Sequence, residues 1–367
     1  MRMVVALGLA VVVWAPPGAF ARQEKPAEDR PLYLSAIKPK DSILFLGDAA
    51  TIGAAWPRQV ASALLALRPD DGLRVNVGGW DGATIAPDPM QPDAMSAAEV
   101  WAPRLMFTVK PTVVFVCLGQ EDGYSREADA ADAERYGRQL SALIERKIVG
   151  IGARAVFVMS PPAAEERNEA SRGWVAGYNA TLSLRAKKAE EVAKAKGWKF
   201  IDLYGASAAA YDARQREIEA AARRSGEPMV PGSAPPLVER PPRLTAAGLV
   251  PNRLGSAVIA HAVLRGLGVA DADLSRVGWP PIPGEEFEKN RSLLPGLAPE
   301  GSKTAAMYSL SNIIDGYNTH FEVLWKHLEM RLHPAHSRRA DILTMHRLEV
   351  ESDWQRVLEA AKAAGAK

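Results

Sequence analysis

Ile43-Leu44-Phe45-Leu46-Gly47-Asp48-Ala49-Ala50-Thr51 is an apolar run that ends on Gly-Asp and gives way to small residues. Four consecutive large apolar residues with no polar alternation predict a strand, Ser42–Leu46, covered on both faces. The Gly-Asp pair predicts a turn at its carboxyl end, and a helix is expected from about Ala54 to Leu67. The same grammar repeats outward along the chain. Strands are expected at Leu73–Val77, Thr112–Leu118, Ala155–Met159 and Lys199–Leu203. Helices are expected around Ser96–Lys110, Ala128–Ile148, Glu169–Lys196 and Leu254–Leu267. Continuous apolar strands alternating with helices predict a three-layer α/β/α domain on a central parallel sheet, spanning about residues 41–270. In such sheets ligands bind outside the carboxyl ends of the strands.

The chain has 367 residues, 47% apolar and 24% charged, with a formal net charge of +2. That composition is ordinary for a globular protein, and so small a charge provides no global field to select nucleic acid. At the N-terminus Arg2 precedes an apolar run to about Ala15, then Pro16-Pro17-Gly18 and Ala19-Phe20-Ala21. A basic start, a short apolar stretch and a small-x-small site predict a signal peptide over residues 1–21, with a polar leader over 22–40. The expectation is an exported protein, periplasmic or extracellular, with no transmembrane segment in the mature chain. Export would permit disulfides, yet the sole cysteine is Cys117, inside a strand-like run where an inert buried thiol is expected.

Three further blocks bear on chemistry. The first is Asn76-Val77-Gly78-Gly79-Trp80-Asp81-Gly82-Ala83-Thr84. The next is Gly119-Gln120-Glu121-Asp122. The last is Thr245-Ala246-Ala247-Gly248-Leu249-Val250-Pro251-Asn252-Arg253-Leu254-Gly255. With the opening stretch, these resemble in order and spacing the four signature blocks of the SGNH/GDSL hydrolases. That resemblance implies a Ser nucleophile at position 49, an oxyanion-hole glycine at Gly79, an oxyanion-hole Asn at position 121, and an Asp and a His at positions 247 and 250. The chain instead carries Ala49, Glu121, Ala247 and Val250. A methyl group cannot attack an ester, and a carboxylate beside a developing oxyanion repels it. An alternative register puts Arg243 at the His position but loses the Pro-Asn-x-x-Gly match. The resemblance therefore implies the fold and a degenerate pocket in which no catalytic residue is expected. That pocket comprises Asp48, Ala49, Thr51, Gly79, Trp80, Asp81, Gly119, Glu121, Asp122, Ala247 and Val250.

Asp48, Asp81, Glu121 and Asp122 all fall at expected strand ends. Carboxylates so placed either cap helices and bind loop amides, the plainer expectation, or act on a cation or a proton. Trp56 and Trp80 are expected in packing, with a sugar platform as the sharper alternative. Thr51 is the nearest hydroxyl to position 49, and His261 lies about two turns into the last helix of the domain.

Two segments depart from a minimal domain. Residues 226–243 carry six prolines and read as an extended insertion, either a surface loop or a cover for the pocket. Beyond an expected linker over 271–300, a helical extension over 301–367 carries an apolar stripe: Ile313, Ile314, Tyr317, Phe321, Leu324, Trp325 and Leu328. That stripe needs a cover, from the main domain, from the helix around Ile342–Ala363, or from a partner or second copy. Five histidines fall there (His320, His327, His333, His336 and His346), without metal-ligand spacing, and no metal or cofactor is expected. The functional expectation is an exported binding or interaction module for a carbohydrate, a cell-wall polymer or a partner protein. The alternative is an esterase with displaced catalytic residues.

Overall fold

Five parallel strands form the centre of the molecule. They are β1 (Ser42–Gly47), β2 (Arg74–Gly79), β3 (Val113–Cys117), β4 (Ala155–Met159) and β5 (Lys199–Ile201), in the spatial order β2-β1-β3-β4-β5. The structure, a computed structural model, describes residues 33–87, 95–123, 129–166, 169–224, 243–246, 248–279, 302–331 and 340–365. The expected signal peptide and leader up to residue 32, and residues 225–242 of the Pro-rich insertion, lie outside these. The described elements belong to one unit, Leu32–Lys367.

The strands form where the apolar runs predict them, because runs rich in Val, Ile and Phe suit a sheet buried on both sides. Every residue of β3 and β4 is buried, as is β1 from Ile43 onward. The pairing register aligns Phe45, Phe115 and Phe157 side by side. Their rings stack with centroids 4.6 and 4.4 Å apart, and Trp56 meets Phe45 edge-on at 5.5 Å. Such aromatic pairs add about 0.5–1.5 kcal/mol each beyond their area.

Helices cover both faces: α1 (Ala49–Ile52), α2 (Trp56–Leu67), α3 (Ala97–Val109), α4 (Ala130–Leu143), α5 (Glu169–Lys196), α6 (Leu203–Arg224), α7 (Arg253–Gly266) and α8 (Asp271–Arg276). A two-stranded antiparallel hairpin, β6 (Thr245–Ala246) and β7 (Val250–Pro251), precedes α7. Ser96 and Glu99 form a reciprocal capping box that starts α3. The structure is thus a three-layer α/β/α fold with a central parallel sheet.

Several boundaries differ from the sequence expectation. The strand expected over Lys199–Leu203 ends at Ile201, and Leu203 opens the unforeseen α6. The Ser160 hydroxyl accepts from the backbone N–H of Leu203 and Tyr204, which starts that helix at once. Residues 271–276, placed by sequence in a linker, form α8, and Leu274 and Trp279 are buried in the main core.

The helical extension is two long helices, α9 (Lys303–Arg331) and α10 (Ala340–Gly365), packed on each other, on α2 and, through α9, on β2. Ile314, Tyr317 and Phe321 of the apolar stripe join the core of the sheet domain, with Trp354 and Val357 of α10 beside them. That part of the stripe is covered by its own chain, so it offers no face to a partner or a second copy. The side chains of Leu324, Trp325 and Leu328 lie outside the described residues.

α9 also lies along the free edge of β2. The backbone N–H of Val77 donates to Asn318 Oδ1 at 2.9 Å, and the Tyr317 hydroxyl donates to Asn76 Oδ1 at 2.6 Å. An edge strand otherwise presents unpaired amides to solvent or to another chain. Asn318→Ala orphans the buried Val77 amide, and urea unfolding is expected to show a loss of about 1–3 kcal/mol with an unchanged denaturant slope. An unchanged midpoint would show that the edge does not depend on this helix.

Candidate active-site cleft

The ends of β1, β2 and β3 converge on one carboxylate. Asp48 caps the short α1, accepting from the Ala50 N–H at 3.2 Å. Its other oxygen accepts from the Gln120 N–H at 3.1 Å and the Glu121 N–H at 3.5 Å, so it ties the turn after β1 to the turn after β3. Asp122 makes the next link, accepting from the amides of Ile85 and Ala86 in the turn after β2. The ends of β1 and β2 also close up because two glycines face each other in register, Gly47 and Gly79. A Cβ on Gly79 would strike the Gly47 carbonyl and the Ile52 side chain.

The β3 turn is gripped from behind as well. Tyr136 donates to the carbonyl of Leu118 at 2.9 Å, and Tyr178 donates to that of Gln120 at 2.5 Å. Arg185 donates to the carbonyls of Gly119 and Asp122 at 2.9 and 3.0 Å and pairs with Asp132 at 2.6 Å. Gly119 has φ +114°, and the Tyr136 ring fills the space a side chain there would need. The Gln120 side chain donates to the Leu249 carbonyl at 3.2 Å and so reaches the last signature block.

That last block is held by residues outside the signature pattern. Glu165, buried on the segment after β4, accepts from the amides of Leu244 and Thr245 and from the Thr245 hydroxyl. Asn252 caps α7 through the amides of Leu254 and Gly255 and donates to the Arg243 carbonyl. Arg243 turns to Gln215 and the Glu166 carbonyl. Neither Glu165 nor Arg185 was legible as a site residue. Arg185 did carry a signal, because it falls in the helical stripe Val175, Tyr178, Leu182, Arg185, Ala189, where a charge is buried only for a purpose.

Among the described residues, the positions where the resemblance implies a nucleophile and a base carry neither a hydroxyl nor an imidazole. Ala49, 9% exposed, presents its methyl where the resemblance implies a nucleophile. Val250 packs beside Gly53, one turn further along α1. Ala247 lies outside the described residues. Thr51 is fully buried, and its hydroxyl faces Gly47 and the Cys117 thiol with no oxygen or nitrogen partner. That orientation corrects the idea of Thr51 as a displaced nucleophile. His261 faces Asp271 at 3.2 Å, and His320 pairs with Asp353 in the extension. Trp56 is no sugar platform: it is fully buried, and its indole N–H donates to the Ala50 carbonyl at 2.8 Å. Trp80 is 41% exposed and Asp81 is exposed. Among the described residues no group of three His, Cys, Asp or Glu is arranged to hold a metal ion.

The electrostatics follow from this crowding. Burial, then the neighbouring Glu121 charge, push Asp48 up to about 7 against the opposing pull of the Gln120 and Glu121 amides. Glu121 is also raised, first by burial and then by Asp81 and Asp122. Burial raises the Cys117 thiol strongly, which keeps it a neutral, inert group.

No family model matches the chain, and no curated protein matches it. Solved structures do. One is a gut microbial diltiazem-metabolizing enzyme, at 19% identity and a TM-score of 0.43. The match covers 63% of this chain, and the chain spans only about half of that protein, 48% of its length. Another is a catalytic mutant of an acetylxylan esterase from Geobacillus stearothermophilus, at 19% identity and TM-score 0.43, covering 63% of this chain and 96% of that one. A third, described as a GDSL-like lipase from Parabacteroides merdae, has 14% identity and TM-score 0.43, covering 64% and 98%.

The raised Asp48 carries a pH signature. A carboxyl with its folded value above its unfolded one binds its proton more tightly when folded, so stability falls as pH rises toward and through the folded value. His261, lowered by burial, acts in the opposite sense, and its contribution fades over about one pH unit above its ordinary 6.5. Between pH 6.5 and 8.5 the unfolding free energy from urea titrations is therefore expected to fall by about 1 kcal/mol, and Asp48→Asn is expected to flatten that slope. A rise over the same interval would contradict it.

Proposed function

We propose that this chain is an exported, non-catalytic protein on an SGNH/GDSL hydrolase-like frame, serving as a binding module for a carbohydrate. The observation that carries the reading is the Ala49 methyl at the head of α1, with the nearest hydroxyl, Thr51, turned into the core. Nucleophilic catalysis needs a hydroxyl or thiol within hydrogen-bond reach of a base. Ala49 and Val250 stand at the positions where the resemblance implies that hydroxyl and that base, and Glu121 would add a charge of the wrong sign for an oxyanion. What remains suits recognition: strand-end turns locked by buried hydrogen bonds, an exposed Trp80 and the carboxylates of Asp81 and Glu121. Indole faces and carboxylate acceptors are the two groups that contact the C–H face and the hydroxyls of a sugar. Export rests on the N-terminal pattern, and no described helix is long and apolar enough to cross a membrane.

The test is hydrolysis of short-chain p-nitrophenyl esters and acetylated sugars by the purified mature chain. Release at the buffer rate is expected for the native protein, for Thr51→Ala and for Ala49→Ser, since a Ser alone still lacks a base. A shift in melting temperature with oligosaccharide is expected in the same samples. Ester turnover that disappears in Thr51→Ala would instead establish displaced catalysis.

A further inference from the structure

A cavity of about 430 Å³ opens at the amino ends of β4 and β5, the opposite end of the strands from the signature blocks. It lies between the short helical turn Tyr33–Ala36 and the first residues of the two strands, and Ser35, Arg154, Gly197, Trp198 and Lys199 stand on its walls. That volume falls within the roughly 300–1,000 Å³ of small-molecule sites, which combine apolar or aromatic walls with a few placed polar groups. The wall groups are fixed before anything enters. Arg154 Nη2 donates to Asp41 Oδ2 at 2.6 Å and to the Ala36 carbonyl at 3.1 Å. Asp41 in turn accepts from the Thr112 hydroxyl at 2.7 Å and the Lys38 N–H at 2.6 Å. Burial pushes the Asp41 carboxyl up, and the bonds from Thr112, Lys38 and Arg154 outweigh it, so the group lies below its ordinary value and stays charged. Lys199 Nζ stands 5.9 Å from the centre of the Phe157 ring, a cation–π contact. Trp198 packs against the main core. Gly197, at φ +68°, and Trp198 close α5, their N–H groups donating to the carbonyls of Lys194 and Ala193.

We infer that this cavity is a second binding site, for a small organic anion: a phosphate or carboxylate carried on a single ring. Among the described residues its walls hold two cations and no carboxylate, and Asp41, which pairs with Arg154, offsets only one of them. A ligand anion supplies the second charge. Arg154 presents a planar guanidinium held in one orientation, the group best matched to carboxylate and phosphate oxygens. Lys199 adds a compact ammonium, and Trp198 adds an indole against which a flat ring packs. Bare carbonyls at a helix C-terminus repel an anion, and at the end of α5 the carbonyls of Ala193 and Lys194 are engaged by Trp198 and Gly197. A cationic ligand would meet Arg154 and Lys199 with like charge, and an inorganic anion would leave the indole wall uncovered. The site shares no residue with the proposed carbohydrate site.

The experiment is calorimetric titration of the mature chain at low ionic strength with phenyl phosphate, benzoate, inorganic phosphate and phenol. Phenyl phosphate and benzoate are expected to bind saturably at one site per chain. Inorganic phosphate and phenol are expected to bind about tenfold or more weakly than phenyl phosphate. Lys199→Gln is expected to weaken both ring-bearing anions roughly tenfold. Trp198→Leu is expected to weaken them several-fold while leaving inorganic phosphate unchanged. Arg154→Gln would strip the buried Asp41 of its partner and can unfold the chain, so the other two variants carry the test, each with melting and circular dichroism as the folding control. Absence of saturable binding of phenyl phosphate and benzoate to the folded protein would overturn the inference. So would inorganic phosphate binding as tightly as phenyl phosphate, or affinities unchanged in both Lys199→Gln and Trp198→Leu, because the anions would then sit elsewhere.

Discussion

A single carboxylate fully removed from water ties the turn after β1 to the turn after β3. Asp48 caps α1 and accepts two amides from the turn after β3, and no other described side chain touches both turns in this way. Its placement is a compromise. The amides favour the charged form, while burial and the neighbouring Glu121 disfavour it, and the latter prevail. From Asp48 the constraint spreads outward. Fixing the amides of Gln120 and Glu121 sets where their carbonyls and side chains point. Tyr136, Arg185 and Tyr178 hold that arrangement from the helix side, and Asp122 carries it to the turn after β2.

This arrangement separates two jobs that a hydrolase combines in neighbouring residues. Asp48, Asp122 and Asn252 shape the turns, and each does so through hydrogen bonds to backbone amides. Those bonds are indifferent to whether a bond-breaking group stands nearby. The residues at 49 and 250 make no such bonds, so a methyl and an isopropyl group fit there without disturbing the frame. The turns are therefore held in the same way whatever side chains stand at 49 and 250.

Most of the sheet could be read from the chain because its signal is local. Continuous runs such as Ile43–Leu46 and Val113–Cys117 have one stable use, a strand covered on both faces. Asp48 and Asp122 could be read as caps or amide acceptors from their positions at strand ends. What local pattern could not supply was long-range pairing. Glu165 meets the backbone amides of Leu244 and Thr245 across about 80 residues, and Asn318 meets that of Val77 across about 240, and a backbone amide carries no mark in the sequence. The start of α6 was hidden for the same reason, since the hydroxyl that opens it belongs to Ser160, on a different strand end. The apolar stripe of α9 could be seen but not assigned, because periodicity shows that a face is covered and not by what.

The central claim is that the cleft contains no activated nucleophile, and covalent trapping tests it most directly. A fluorophosphonate reagent labels a serine or threonine hydroxyl that an adjacent base has made nucleophilic. Intact-mass spectrometry of the mature chain after prolonged exposure is expected to show the unmodified mass, with or without oligosaccharide. A single phosphonyl adduct on any serine or threonine, lost on heat unfolding before treatment, would contradict the account.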